Sequence, residues 1–189
     1  FAQVTNPPID SLLERLVMST LSTLGEERNL LDETPEHARL LELEHPILTN
    51  EQLERVRQIS RPGFRARTLP ILFKRVDGGE GLRAALDALC QQASAAIADG
   101  VNLLILSDRG VSPDLAPIPA LLATSAVHHH LIREETRTKC GLVVETGDAR
   151  EVGHFALLIG YGAGAINPYL AFETVRDLLE DGSYVPEDL

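Results

Sequence analysis

In the last two thirds of the chain, short apolar runs alternate with amphipathic stretches, and this alternation limits the possible folds more than any other feature. From Thr68 onward the pattern occurs four times. It predicts strands at 69–73, 101–106, 141–144 and 165–166, followed by helices at about 81–98, 118–137, 150–159 and 169–180. Nearly continuous apolar strands separated by helices are typical of a parallel sheet that is covered on both faces.

Four βα units amount to half of an eight-fold barrel. The sequence therefore predicts an α/β fold of parallel βα units, which form either an incomplete or degenerate (βα) barrel-like domain or an open sheet. The pattern alone does not decide between the two.

A helical segment is predicted to precede these units. Ser11 and Glu14 have the spacing of a capping box, and an apolar stripe predicts a helix that runs to Leu24. Thr49 and Gln52 begin a second helix. Between the two helices, 26–47 should cross the surface with one short helical turn. We divide the chain into an N-terminal helical and loop segment, 1–67, and a βα-repeat region of the same domain, 68–189.

Composition excludes several classes of protein. A net charge of −11 repels a phosphate backbone, so we expect no nucleic-acid partner. We also expect no membrane segment, because no apolar run reaches the roughly 18 residues that span a bilayer. Two cysteines without a C-x-x-C pair fit a reducing cytoplasm, where we place the protein.

Polar residues follow the predicted strands. Because the carboxyl ends of parallel strands lie on one side, these residues should share the edge where barrel sites are built. One interpretation is structural, with helix caps and ion pairs; another is a free-standing βα enzyme that uses Asp108 and Glu145 as an acid/base pair. The residues are Lys74, Asp108 with Arg109, Glu145 and Asn167.

Histidines, cysteines and glycines give weaker signals. His128, His129 and His130 point about 100° apart on a helix, so they cannot bind one metal together, although His130 and Glu134 share a face. We predict polar packing or an interface for them, and no metal site. Cys90 should be a core residue and Cys140 a weak candidate for reactivity. Residues 160–164 (GYGAG) follow a helix and precede a strand, so they predict an αβ turn. The acidic stretch 177–188 leaves open a pure interaction module.

Several longer strings resemble one enzyme family along essentially the whole chain. They are similar to the central domain of the glutamate synthase large subunit. The strings are AQVTNPPID at 2–10, RNLL at 28–31, LSDRG at 106–110, SAVHHHL at 125–131 and GYGAGAINPY at 160–169.

The resemblance implies a large enzyme that releases ammonia from glutamine in an amidotransferase domain and adds it to 2-oxoglutarate in an FMN-binding domain. This segment would join those two partners as a linker or scaffold and contribute to the ammonia passage, with no catalytic residue of its own. FMN and an iron–sulfur cluster would lie elsewhere, and this segment would bind no cofactor. Candidates for the passage wall are Met18, Thr49, Lys74, Glu145 and Asn167.

Overall fold

Four parallel strands form the centre of the fold in a computed structural model, which describes residues 20–29 and 31–182. In all, the described residues form eight strands: β1 Ser22–Leu24, β2 Leu41–Leu43, β3 Ala66–Pro70, β4 Leu72–Lys74, β5 Leu103–Ser107, β6 Leu115–Pro117, β7 Gly141–Glu145 and β8 Ala165–Asn167. The α-helices are α1 Asn50–Arg57, α2 Gly78–Ala98, α3 Ala120–Arg133, α4 Val152–Gly160 and α5 Tyr169–Glu180. Short 3₁₀ helices lie at Pro35–Ala38, Arg75–Asp77 and Arg137–Lys139.

The central sheet has the order β3-β5-β7-β8, and each neighbouring pair is parallel. This confirms the prediction of an α/β fold built from parallel βα units. Within the described residues the four strands do not close into a barrel. Every residue of β5 and β7 is buried, which explains why these strands are apolar until their last residues.

Alternate residues of the strands contribute to two separate cores. One core lies between the sheet and the helices α2, α3 and α4; its strand residues include Leu104, Leu106, Leu142, Val144 and Ile166. The other lies on the opposite face, against β1 and α1; its strand residues are Leu103, Ile105, Val143 and Ala165. The N-terminal segment thus covers the sheet face that would point into a complete barrel.

The N-terminal segment contains strands that the sequence analysis missed. Ser22–Leu24 pairs antiparallel with Leu41–Leu43, so the prediction of a helix running to Leu24 is wrong for its last turn. The earlier part of that predicted helix, 11–19, lies outside the described residues. Leu24 is 1% exposed, and burial in the core outweighs the helical periodicity of its neighbours.

Close packing of β1 on the sheet depends on a glycine in β7. A Cβ atom at Gly141 would lie 2.8 Å from the backbone nitrogen of Gly25 and 3.3 Å from Leu24. Any side chain at this position would push the two strands apart. Glycine in a strand often marks such a close approach of another backbone.

The predicted strand at 69–73 is two strands with different partners. β3 ends at Pro70, and Ile71 donates its N–H to the carbonyl of Ser107 at 2.8 Å. The chain then pairs β4 antiparallel with β6 in a second, two-stranded sheet. A continuous apolar run does not reveal this change of partner, because both strands bury the same kinds of side chain.

The outer edge of β8 is covered by the segment that precedes α1. Leu48 donates its N–H to the carbonyl of Ile166, and Ile166 donates to the carbonyl of Pro46, both at 2.8 Å. Ile47 forms a parallel bridge with Ile166. Among the helices of the described residues, none combines the length and the apolar character needed to cross a membrane.

Candidate functional site

The carboxyl ends of β5 and β7 hold a buried carboxylate that joins several elements. The Glu145 side chain is 3% exposed and accepts hydrogen bonds from Arg57 and Arg109, both at 2.8 Å, one on each oxygen. The hydroxyl of Ser107 also donates to it. Arg57 belongs to α1, so this carboxylate ties α1 to the central sheet.

Arg109 extends the cluster to α5. Its guanidinium carbon lies 3.9 Å from the centre of the Tyr169 ring, in cation–π geometry, and its Nη2 lies 3.4 Å from Glu173. Burial lowers the pKa of Arg109, but the hydrogen bonds and charges of Glu145 and Glu173 together raise it by more. Arg109 therefore remains a cation that holds the first turn of α5 against the sheet.

Asp108 has a different set of partners, in the segment that follows β7. Its Oδ2 accepts from the Thr146 hydroxyl at 2.7 Å and from the Gly147 N–H at 2.9 Å. Burial, and then the hydrogen bond to Asp108, raise the pKa of Tyr169 well above its ordinary value. The phenol therefore stays protonated and can donate to the carboxylate.

Asn167 and Thr49 meet where the N-terminal segment joins β8. Thr49 caps α1 in a capping box with Gln52, with hydrogen bonds of 2.8 and 3.2 Å. Asn167 donates from Nδ2 to the Leu48 carbonyl and to Asn50 Oδ1, each at 2.9 Å. Asn167 Oδ1 is buried and has no hydrogen-bond partner among the described residues.

The predicted strand-end residues do not all come together. Asp108, Arg109, Glu145 and Asn167 lie at the carboxyl edge of the central sheet. Lys74 does not, because it ends β4 in the small antiparallel sheet, where it is exposed. Met18 lies outside the described residues.

The two carboxylates proposed as an acid/base pair are engaged separately. Glu145 has an arginine on each oxygen, whereas Asp108 bonds to Thr146 and Gly147. Asp108 and Glu145 are joined by the backbone, through the N–H of Asp108 and the carbonyl of Glu145 at 3.2 Å. This arrangement is well suited to fixing strand ends and helices in place.

The histidines have separate partners. His128 Nδ1 accepts from Arg137 Nε at 2.9 Å, and His130 Nε2 lies 2.8 Å from the Ser94 hydroxyl. Burial first, and Arg137 second, lower the pKa of His128. Within the described residues, no group of three or more His, Cys, Asp or Glu side chains could hold a metal ion.

The cysteines and the glycine-rich turn have structural surroundings. Burial raises the pKa of Cys140 to about 11, and Cys90 lies half-buried on α2. The two thiols are free and belong to separate elements. Residues 160–164 end α4 and lead into β8, which confirms the predicted αβ turn. Gly162 has φ +109°, a conformation that glycine adopts without strain.

Three members of the cluster were missed by the sequence analysis. Arg57 lies on α1, far along the chain from Glu145, so no local pattern indicates their contact. Tyr169 resembled an ordinary first residue of a helix. Ser107 could have been included, because it is the last residue of β5 and immediately precedes Asp108.

Comparison with known proteins identifies the family. The family model described as "Glutamate synthase central domain" matches residues 1–188. The chain is 48% identical to the large chain of glutamate synthase (NADPH) from Bacillus subtilis, covering 96% of this chain and 12% of that protein. It is 39% identical to glutamate synthase (NADH) from Schizosaccharomyces pombe, covering 98% and 9%.

A third relative is named for its dependence on ferredoxin. The ferredoxin-dependent glutamate synthase of Pyropia yezoensis is 46% identical over 93% of this chain and 11% of its own length. The chain thus spans about a tenth of the length of these relatives and is similar to all three types. From the extent and consistency of these matches, the chain belongs to the glutamate synthase central domain family.

Proposed function

We propose that this chain is a scaffold segment within a larger glutamate synthase polypeptide. It would join an amidotransferase domain to an FMN-binding synthase domain and form part of the ammonia passage between them. The observation that carries the proposal is the cluster around Glu145, in which the polar groups at the carboxyl edge bond to one another. Such a cluster fixes α1, the sheet and α5 in one geometry.

The chemistry would take place in the joined domains. One domain would hydrolyse the amide of glutamine, and the other would add the released ammonia to 2-oxoglutarate with electrons from a reductant. Ammonia that reaches bulk water is protonated and loses its nucleophilic lone pair, so a sheltered route preserves its reactivity. FMN and the iron–sulfur cluster belong, in this proposal, to the synthase domain, and none of the catalytic residues lies in this segment.

The passage wall is assigned to the junction between α1 and β8. Asn167 donates to the carbonyl of Leu48, Thr49 follows Leu48 in the chain, and Glu145 lies opposite Asn167 in the β7–β8 pair. The unpaired Oδ1 of Asn167 could accept a hydrogen bond from a small N–H donor such as ammonia. Lys74, in the separate β4–β6 sheet, is a candidate for a passage that extends beyond this junction, and Met18 is a candidate that lies outside the described residues.

Isotope dilution in the full-length enzyme tests the passage. The enzyme is given glutamine labelled with ¹⁵N in its amide group, 2-oxoglutarate, the reductant and an excess of unlabelled ammonium. The α-amino group of the glutamate formed from 2-oxoglutarate should carry undiluted ¹⁵N. Replacing Asn167 with Leu should dilute that label and raise the amount of glutamine hydrolysed per glutamate made from 2-oxoglutarate.

A matched variant distinguishes passage damage from general damage. Asp99→Asn removes a carboxylate from the exposed Arg67–Asp99 pair, away from the carboxyl edge, and should leave the labelling unchanged. Activity with high ammonium alone should survive in Asn167→Leu if the synthase domain is intact. Undiluted label and unchanged stoichiometry in Asn167→Leu would contradict the assigned wall, and stoichiometric FMN binding by the segment would contradict the scaffold function.

A further inference from the structure

The last helix of the βα region has an apolar face that the described residues leave open. In α5, Tyr169–Glu180, no residue is buried. Five of its apolar residues nevertheless lie within about one third of the helix circumference, as in a helix that packs on a core; they are Ala171, Phe172, Val175, Leu178 and Leu179. Leu170 lies outside this stripe, on the charged flank.

The opposite flank of α5 is charged. Glu173, Asp177 and Glu180 lie there with Arg176, so carboxylates outnumber cations. Glu173 is held by Arg109, whose contact with Tyr169 also fixes the first turn. The cluster around Glu145 therefore presents the helix in a fixed orientation, although the helix itself contributes little to the core.

Helix α4 shows the same mismatch between composition and burial. Its sequence, Val152–Gly160, contains no Asp, Glu, Lys or Arg and only one polar side chain, His154, and a helix that is apolar on all sides is normally buried. Val152 is nevertheless 84% exposed, and Leu157 and Ile159 are also exposed. Next to Leu157, an apolar hollow of about 170 Å³ lies between α4 and the start of α3 and is also lined by Leu121.

We infer that the apolar face of α5 is a docking surface for a folded domain of the same polypeptide outside these 189 residues. The relatives are about ten times longer than this chain, so most of the polypeptide lies outside it. The inference rests on the proposed scaffold function for the identity of its occupant. The partner surface should carry apolar side chains with Lys or Arg at the rim that faces the acidic flank of α5.

Position-specific photocross-linking in the full-length enzyme tests this docking. A benzophenone amino acid is placed at Val175, which is 52% exposed, or at Asp177 on the opposite flank. Both positions are on the surface of α5, so folding should tolerate either change. Mass spectrometry should find cross-links from Val175 to peptides outside this chain, in a yield about tenfold above that from Asp177, because a docked face is held against its partner.

Each other outcome identifies a different occupant and would overturn the inference. Equal yields from both positions would show that α5 is free in solution. Cross-links to this chain's own residues would show that another part of this chain covers the apolar face of α5. Cross-links between isotopically heavy and light enzyme would show that a second copy of the enzyme covers it. The result is independent of the ammonia test: a specific cross-link to another domain, together with fully diluted label, would retain the docking surface and reject the passage.

Discussion

Neutralising Glu145 should destabilise the protein much more than neutralising an exposed carboxylate. The Glu145 side chain is 3% exposed, and its two arginines are 33% and 44% exposed. Glu145→Gln keeps the size of the side chain, but its amide has a single acceptor oxygen, so one arginine keeps a bond and the other faces an NH2 donor and loses its bond. A bond to a charged group contributes about 1.5–3 kcal/mol, so the expected loss is about 2 kcal/mol.

Partial exposure of the arginines sets an upper limit on this effect. Breaking a fully buried ion pair costs about 3–5 kcal/mol, but water can reach these guanidinium groups once the charge is removed. At about 2–4 °C per kcal/mol for a chain of this size, Tm should fall by about 4–8 °C. Urea denaturation followed by far-UV circular dichroism measures the free energy of unfolding.

The surface pair between Arg67 and Asp99 gives the matched control. Their side chains are 38% and 61% exposed, and Asp99→Asn should cost less than about 1 kcal/mol. Arg109→Met should also be less harmful in Glu145→Gln than in the original protein, because the two residues interact. Equal losses for Glu145→Gln and Asp99→Asn, or strictly additive effects with Arg109→Met, would refute the reasoning.

Three further predictions test other parts of the fold. Gly162→Ala should destabilise the fold by about 2–4 kcal/mol, since its Cβ would lie 2.1 Å from His128 Nδ1 and φ is +109°. Gly153→Ala is the control: its Cβ would meet open space, so the change should be neutral or stabilise the helix by up to about 1 kcal/mol. Thr49→Ala should cost about 1 kcal/mol, because Gln52 loses its capping partner, as measured by urea midpoints. Because the pKa of His128 is lower in the folded protein than in the unfolded chain, the unfolded chain binds a proton first as pH falls. The free energy of unfolding should therefore decrease as pH drops below about 6.5 and level off below the folded-state pKa. This pH dependence should be weaker in His128→Gln.

Each of these predictions has an outcome that would contradict it. Equal stability of the alanine variants at Gly162 and Gly153 would mean that the turn relaxes freely. An unchanged urea midpoint for Thr49→Ala would mean that water satisfies the end of α1 equally well. The same slope of stability against pH with and without His128 would assign the acid sensitivity to other groups.

The βα units could be predicted from the sequence, because each is defined by a pattern of neighbouring residues. Leu103–Ser107 and Gly141–Glu145 are apolar runs between helical stretches, and their periodicity is sufficient to predict strands and parallel pairing. Ser22–Leu24 could not be found in this way, because its strand geometry depends on pairing with distant residues and on burial of Leu24. The break at Ile71 was hidden for a similar reason, since both neighbouring strands are apolar.

The candidate site was predictable only in part. Strand ends predicted a shared edge for Asp108, Glu145 and Asn167, because the carboxyl ends of parallel strands meet there. The contacts of Glu145 with Arg57 depend on how α1 crosses the sheet, and one sequence does not encode that crossing in any local pattern. For the same reason, Lys74 was grouped with residues from which the second sheet separates it.

The backbone pairing of residues 46–48 with β8 has a consequence for how this unit can be divided. Because Leu48 and Pro46 occupy the hydrogen-bonding groups of Ile166, removing the chain before α1 would leave a bare strand edge at the end of the sheet. Exposed edges of this kind recruit strands from other molecules and promote aggregation. A shortened form that begins with the βα repeats should therefore self-associate. In the longer chain, residues 46–48 prevent this by occupying the edge of β8.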